Sequence, residues 1–256
     1  MLSVPGLDNR YLQQGNNLLR KMSQLQRIAI APSQFQQGQI LLTREQQHYL
    51  GRVLRLHEGD RFIAMDGKGK WWLAQIAGEQ AQVLEALLVE TELPVSITLM
   101  IALPKGNGFD EVVRCCTELG VTCIAPVLSD RTLLHPSPQK LERWRRIAAE
   151  AAEQSERSFV PTILEPVAFN TAVAANQTSH RYICEARGEY PHLNKVLSNI
   201  CAEIIIATGP EGGWTTQEVE NAIAFGFQPV SLGRRILRAV TAPVVALSLI
   251  TASCEV

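Results

Sequence analysis

A chain of 256 residues, 46% hydrophobic and 19% charged, has the composition of an ordinary soluble globular protein, long enough for one large or two modest domains. Its formal net charge of −1 argues against a broad basic nucleic-acid surface, though not against a local one built where the arginines cluster. The six cysteines (Cys115, Cys116, Cys123, Cys184, Cys201, Cys254) form no C-x-x-C pair and no metal-ligand spacing with the five histidines. No metal is therefore expected, and the thiols read as scattered side chains of a reducing cytosol.

Residues 1–24 are polar and Gln/Asn-rich, with neither strand alternation nor a helical stripe, and read as a disordered extension. Met22 is an alternative start, since regular structure begins with "QRIAIA" (26–31) just after it. The N-terminus lacks the basic-then-apolar pattern of a secretory signal, and no apolar run approaches the roughly 18 residues of a membrane span. A cytoplasmic protein with no membrane partner is expected. The next segment reads as β: "QRIAIA", "RFIAMD" (61–66), a glycine-punctuated turn "DGKGK" (66–70), "WWLAQIA" (71–77) and "AQVLEALLVE" (81–90). Between the first two strands lies a helix candidate, "TREQQHYLGRVLRL" (43–56), with Thr43 as its N-cap. Several short strands and one helix suggest a small barrel over 25–93. From Ser96 onward apolar strands alternate with helices: "SITLMIAL", "FDEVVRCCTELG", "CIAPVL", "SPQKLERWRRIAAEAAEQSE", "RYICEA", "EIIIAT", "TTQEVENAIAFG", "PVSL" and "APVVALSLITAS". That rhythm predicts an α/β domain over 94–256, with a mostly parallel sheet covered on both faces.

Two loops carry the candidate chemistry. The turn after "EIIIAT" reads G-P-E-G-G-W-T-T (209–216). It lacks the lysine of a Walker loop, and its G-x-x-G-G spacing is not the Rossmann fingerprint, so both nucleotide readings fail on residues their chemistry needs. Gly209, Gly212 and Gly213 still let backbone approach a flat ligand, and Thr215 or Thr216 caps the helix that follows. Gly212→Val is expected to abolish binding, by filling ligand space or forcing a forbidden φ. The second loop, "SLGRRILRAVTA" (231–242), sets Arg234, Arg235 and Arg238 within five residues, with no acid among them. Ile236 and Leu237 interrupt the run and an apolar helix follows, which points to a partly buried cationic loop.

These strings resemble the RsmE family of SPOUT (α/β-knot) methyltransferases, which methylate ring nitrogen N3 of a uridine in small-subunit (16S) ribosomal RNA. The family pattern GPEGG-[FLW]-[ST]-x-x-E matches "GPEGGWTTQE" throughout. Its LG-x-x-[IV]-LR-x-ET-[AT] matches "LGRRILRAVTA" except at Val240, where the family usually has Glu. "KGNGFDEVVRCCTELGV" (105–121) is similar to the family's segment, with Cys115 at the usual lysine. "SDRT" (129–132), "RWRRIAAEAAEQSERSFVP" (143–161) and "LGRVLRLHEGDRF" (50–62) match in the same order. The resemblance covers about 26–253.

It implies a PUA-like barrel followed by a SPOUT domain whose C-terminal trefoil knot forms an S-adenosylmethionine site, and a homodimer. The cofactor would then lie against Thr208, Gly209, Pro210, Glu211, Gly212, Gly213, Leu232, Gly233, Ile236, Leu237, Arg238 and Thr241. A lysine-free wall suits it, because S-adenosylmethionine carries a sulfonium and no phosphate. Removing the N3 proton asks for a base, or for a cation that stabilises charge on the uracil. Arg238 and then Arg131 are the candidate cations; Glu211 and Glu150 are the candidate bases. Glu150, Glu153, Gln154 and Arg157 share helical spacing and form one polar stripe, facing RNA, a partner subunit or water. Arg27, Arg52, Arg55, Lys68, Lys70, Trp72, Lys105 and Arg157 are the RNA-contact candidates. Arg52 and Arg55 lie at i, i+3 on one helix. Alternation puts at least one of Trp71 and Trp72 inside the barrel. A fold-retaining RNA-binding protein without catalysis, favoured by Val240 and Cys115, and a related enzyme acting on another RNA stay as alternatives. The closing helix (242–253) is apolar nearly all round, so one face is expected on the knot and another on a second subunit.

Overall fold

The computed structural model describes residues 25–132, 136–175, 178–197 and 203–255. The extension expected over 1–24, the alternative start at Met22 and Cys201 lie outside them. The chain divides into two compact units, Met1–Val89 and Glu90–Val256.

The first unit holds β1 (Arg27–Ala29), β2 (Phe35–Gln36), β3 (Gln39–Leu41), β4 (Arg61–Met65), β5 (Trp71–Ala77) and β6 (Gln80–Leu87) in one curved sheet, ordered β1-β4-β5-β6-β3-β2. Only β1 and β4 pair parallel; the other neighbours are antiparallel. Strand alternation sends Phe62 and Ala64 to a core with Ile28, Ile40, Leu50 and Ala74, and Ile63 and Met65 to the other face with Trp71. Helix α1 (Arg44–His48) starts as expected. The Thr43 hydroxyl accepts the Gln46 N–H at 3.2 Å and the Gln46 side chain accepts the Thr43 N–H at 2.9 Å. It then widens into a π-helical turn (Tyr49–Val53) that buries Leu50.

One expectation for this unit is corrected. Arg55 does not share a helix with Arg52: it adopts φ +57 beyond the last helical residue, and the following Leu56 N–H bonds back to Leu50 O at 2.9 Å. The reversal ends the helix and re-aims Arg55, although both arginines remain exposed. Of the two tryptophans, Trp71 is the buried one, 3% exposed, with the Arg27 guanidinium 5.8 Å from its ring centroid. Trp72 is half-buried and one of its faces is already stacked on Phe35, centroids 4.8 Å apart. Lys68 and Lys70 project from the hairpin tip, whose backbone N–H groups both donate to Asp66 Oδ1.

The second unit runs β7 (Ser96–Ala102), α2 (Gly108–Glu118), β8 (Cys123–Leu128), α3 (Pro138–Gln154), β9 (Thr162–Ile163), β10 (Val167–Ala168), α4 (Phe169–Ala175), β11 (His180–Cys184), α5 (Leu193–Val196), β12 (Glu203–Thr208), α6 (Thr216–Ala224), β13 (Gln228–Val230) and α7 (Thr241–Cys254). The strands form a wholly parallel sheet ordered β10-β8-β7-β12-β11-β13, with β9 beside β8. Both faces are covered. Ile97, Leu99 and Ile101 of β7, with Ile204 and Ile206 of β12, pack beneath α2, α3 and α7 against Val112, Trp144 and Leu247. Their neighbours Met100, Ala102, Ile205 and Ala207 face α4 and α6. The second unit is thus a parallel α/β domain that follows the half-barrel in the chain, the order the resemblance implies. No described helix is long and apolar enough to cross a membrane.

Arg157 is also corrected. Helix α3 ends at Gln154, Glu156 turns to φ +60, and Arg157 leaves the register of the Glu150 stripe. It is 4% exposed, pairs with Glu92 at 2.6 Å, and donates to Thr117 O and Val121 O at 2.9 and 2.7 Å. An isolated guanidinium is too costly to bury, and here every arm meets an acceptor. Its role is internal, and it is withdrawn from the RNA-contact candidates.

Candidate active site

Three loops leave the carboxyl ends of the adjacent strands β11, β12 and β13: residues 185–187, 209–214 and 232–242. They line an open cleft. Parallel sheets place ligand crevices at this edge, because the loops there are free of the sheet ladder while the strand ends hold them rigidly.

The G-P-E-G-G turn forms one wall. Its Gly213 takes φ +70 and returns an N–H to Pro210 O at 2.8 Å. Gly212 does not adopt positive φ, and a Cβ there would meet the Arg131 side chain at 3.1 Å rather than the cleft. The reason expected for Gly212→Val is thus wrong; its damage would pass through Arg131. Arg131 Nη1 donates to Gly212 O at 2.6 Å and to Trp214 O at 3.3 Å. Glu211 Oε1 accepts the backbone N–H of Lys105 at 2.9 Å. Trp214 stacks on Phe169 (4.3 Å) and its indole N–H reaches Cys184 O at 3.2 Å, joining this wall to the end of β11. Thr215 caps α6 in a capping box with Glu218, a carboxylate only 2% exposed that accepts from the Thr215 and Asp130 N–H groups.

The arginine loop forms the second wall. Arg235, Ile236 and Leu237 line the cleft; Ile236 is 75% exposed. Arg238 does not line it, and its carbonyl accepts the Thr241 and Ala242 N–H groups at the start of α7. Thr208 is fully buried and Thr241 is exposed; neither lines the cleft. The remaining expected cofactor residues do line it: Gly209, Pro210, Glu211, Gly212, Gly213, Leu232 and Gly233.

The third wall, Cys184 to Arg187, was not expected. Its signal was a strand followed by "EARG", legible only once β11 is known to neighbour β12. Glu185 Oε1 accepts the Arg187 N–H at 2.7 Å. Burial pushes the Cys184 thiol up to about 12, so it is a neutral wall and not a nucleophile. Among the described residues neither Arg187 nor Arg235 forms an ion pair, and Glu185 and Glu211 are the lining carboxylates. Glu150 is outside the cleft, 68% exposed on α3 and 3.7 Å from Arg146. Lys105 is exposed on the turn after β7.

Neither departure from the family pattern lies in the lining. Val240 packs on Gly108, where a Cβ would come within 2.6 Å of Val240 Cγ1. Cys115 lies on α2 with Sγ 3.5 Å from Glu111 Oε1. No cluster of three metal-ligating side chains occurs among the described residues.

A half-barrel followed by a parallel α/β sheet with its cleft at the strand ends defines an RNA methyltransferase architecture, and family models agree. The RNA methyltransferase domain matches residues 91–251 and the RNA methyltransferase PUA domain matches 42–85. The chain is 52% identical to the ribosomal RNA small subunit methyltransferase E of Synechocystis over 236 residues, covering 90% of this chain and 78% of that one. It is 30% identical to the Bacillus subtilis protein of the same name, over 84% of this chain and 90% of the other. The crystal structure of ribosomal RNA small subunit methyltransferase E from Neisseria gonorrhoeae bound to S-adenosyl methionine superposes with a TM-score of 0.81 at 31% identity, covering 89% and 97% of the two chains. The chain belongs to the ribosomal RNA small subunit methyltransferase E (RsmE) family.

Proposed function

We propose that this chain transfers a methyl group from S-adenosylmethionine to N3 of a uridine in 16S ribosomal RNA, acting in the cytoplasm on the assembled small subunit as a homodimer. The observation that carries the reading is the three-walled cleft. It joins glycine-backed main chain and apolar side chains (Leu232, Leu237, Ala239, Ala242) to two carboxylates, with no lysine in its lining. Such a lining, with two carboxylates and no phosphate-loop lysine, fits an adenosyl group with a cationic sulfur and leaves Arg187 and Arg235 for the RNA substrate. The bound cofactor supplies the electrophilic methyl.

The chain's own residues orient the partners and manage one proton. Fixing both reactants at attack distance is worth on the order of 7–11 kcal/mol. Arg235 and Arg187, exposed in the lining without acidic partners among the described residues, are placed to stabilise negative charge on uracil oxygens or phosphate. Arg238 remains a candidate from the adjoining segment. Of the candidate bases, Glu211 lies in the lining together with Glu185, whereas Glu150 does not. Arg27, Arg52, Arg55, Lys68, Lys70, Trp72 and Lys105 supply scattered RNA contacts, consistent with a large structured substrate rather than a free nucleoside.

Calorimetry is expected to show heat with S-adenosylmethionine and its demethylated product and none with ATP. Binding of ATP alone would refute the cofactor assignment. Mapping modified uridines in ribosomal RNA from cells lacking the gene should reveal one missing methyl group. An unchanged map would leave the RNA-binding alternative, although the placement of Val240 and Cys115 outside the lining removes the main reason for it.

A further inference from the structure

We infer that Arg131 is a positioning residue that latches the cofactor wall from behind, and not the cation that stabilises the reacting uracil. Arg131 does not line the cleft. One nitrogen, Nη1, is directed at two carbonyls of the G-P-E-G-G turn, Gly212 O and Trp214 O. Gly213 lies between them, and its left-handed backbone lets the two carbonyls converge on one donor. The aliphatic stem lies over Gly212, close enough that any Cβ there would meet Cδ at 3.1 Å. One guanidinium nitrogen and the stem are therefore both held by one turn.

The base of the latch is itself fixed. The Asp130 N–H donates to Glu218 Oε1 at 2.9 Å, and the Arg131 N–H to Ser129 Oγ at 3.3 Å. Glu218 is buried and held by the N-terminus of α6. The chain thus closes a ring from α6, through 129–131, onto residues 212–214 of the loop leading into the same helix. The Trp214 indole extends it to Cys184 O, so the first and third walls are set by the same brace. A charge-assisted bond to a main-chain carbonyl is among the stronger neutral-acceptor contacts, and losing it should free the turn.

The inference rests on the cofactor reading above, and the experiment separates the two. Arg131→Met keeps the stem over Gly212 and removes both the charge and the N–H groups that hold the two carbonyls. Amide hydrogen exchange of the protein alone should quicken about tenfold in peptides spanning 209–215 and stay unchanged in β7 and β8, the scale of one charged hydrogen bond. Calorimetry with S-adenosylmethionine should show Kd raised about tenfold, while kcat on small ribosomal subunits at saturating cofactor stays within about twofold. Trp214→Phe, which keeps the stack on Phe169 and loses only the bond to Cys184 O, should shift exchange and Kd in the same direction by less. Unchanged exchange overturns the inference, and so does unchanged cofactor affinity with kcat lowered about a hundredfold. If exchange quickens but the wild-type protein binds no S-adenosylmethionine, the latch stands and the cofactor assignment falls.

Discussion

Gly209 and Gly213 stand four residues apart in one turn, yet they are glycines for different reasons. Gly213 needs its φ of +70 and has open space where a Cβ would be. Gly213→Ala should then cost about 1 kcal/mol of backbone strain, read as a shift in the denaturation midpoint, and leave the shape of the cleft intact. Gly209 has no such backbone demand, but a Cβ would meet the Trp214 ring at 3.2 Å, and that ring is backed by Phe169. Gly209→Ala should displace Trp214 and weaken S-adenosylmethionine binding about tenfold by calorimetry, with less effect on overall stability. Equal cofactor affinities for the two variants would contradict this assignment. Arg157 belongs at the same scale. Arg157→Ala removes the guanidinium from Glu92 Oε2, Thr117 O and Val121 O, with backbone N–H groups still reaching Glu92 Oε1 and Thr117 O, and should cost about 3 kcal/mol in denaturant unfolding. RNA affinity of the folded variant should not change, because the side chain is not on the surface.

Among the elements, the π-helical turn after α1 makes the sharpest prediction. Just beyond it, Arg55 takes a left-handed conformation that costs a side-chain-bearing residue about 1 kcal/mol. Arg55→Gly should raise stability by about that amount in denaturant titration and lower RNA affinity if Arg55 contacts phosphate. Arg52→Ala, on the helical side, should lower RNA affinity alone. The sequence pointed to a helix through Leu56 because the apolar spacing continues past the break; periodicity does not register a local widening of the helix. Where an apolar run is bounded by turn residues, as in β8 and β12, strands fall where the residues suggest, since burial on both faces leaves little choice of register. The pairs β2–β3 and β9–β10 have two or three residues each and too little length to show a period. Helices α4 and α5, with seven and four residues, are also short. The cleft was legible where glycine and arginine motifs mark it. Its third wall was not, because residues 184–187 join it through the sheet order, with β11 between β12 and β13.

At the scale of the whole molecule, α7 decides the dimer proposal. Its sequence, apolar nearly all round, suggested two buried faces. One is present: Ala246, Leu247 and Ile250 are fully buried in the core beneath α2 and α3, and Thr251 Oγ1 donates to Leu119 O at 2.8 Å. The outward stripe is Thr241, Val245, Ser248 and Ala252 at i, i+4, i+7 and i+11, small rather than charged. Small side chains let a second helix approach closely, which suits a two-fold contact in which each stripe meets its own copy. Ile250→Asp does not test this, since a charge in that core position would unfold the subunit whatever its oligomeric state. Truncation at Val240 fails for the same reason, because it removes the core residues of α7. Val245→Asp is the cleaner variant: it lies outside the core and half-buried in the single chain. Sedimentation should show the wild-type protein as a dimer at micromolar concentration and Val245→Asp as a folded monomer with an unchanged circular dichroism spectrum. Cofactor affinity should fall with it, because Ala242 lines the cleft and the first-turn N–H groups of α7 donate to Arg238 O, so loosening this helix loosens the arginine wall. A wild-type monomer, or a Val245→Asp protein still dimeric, would place the subunit contact elsewhere.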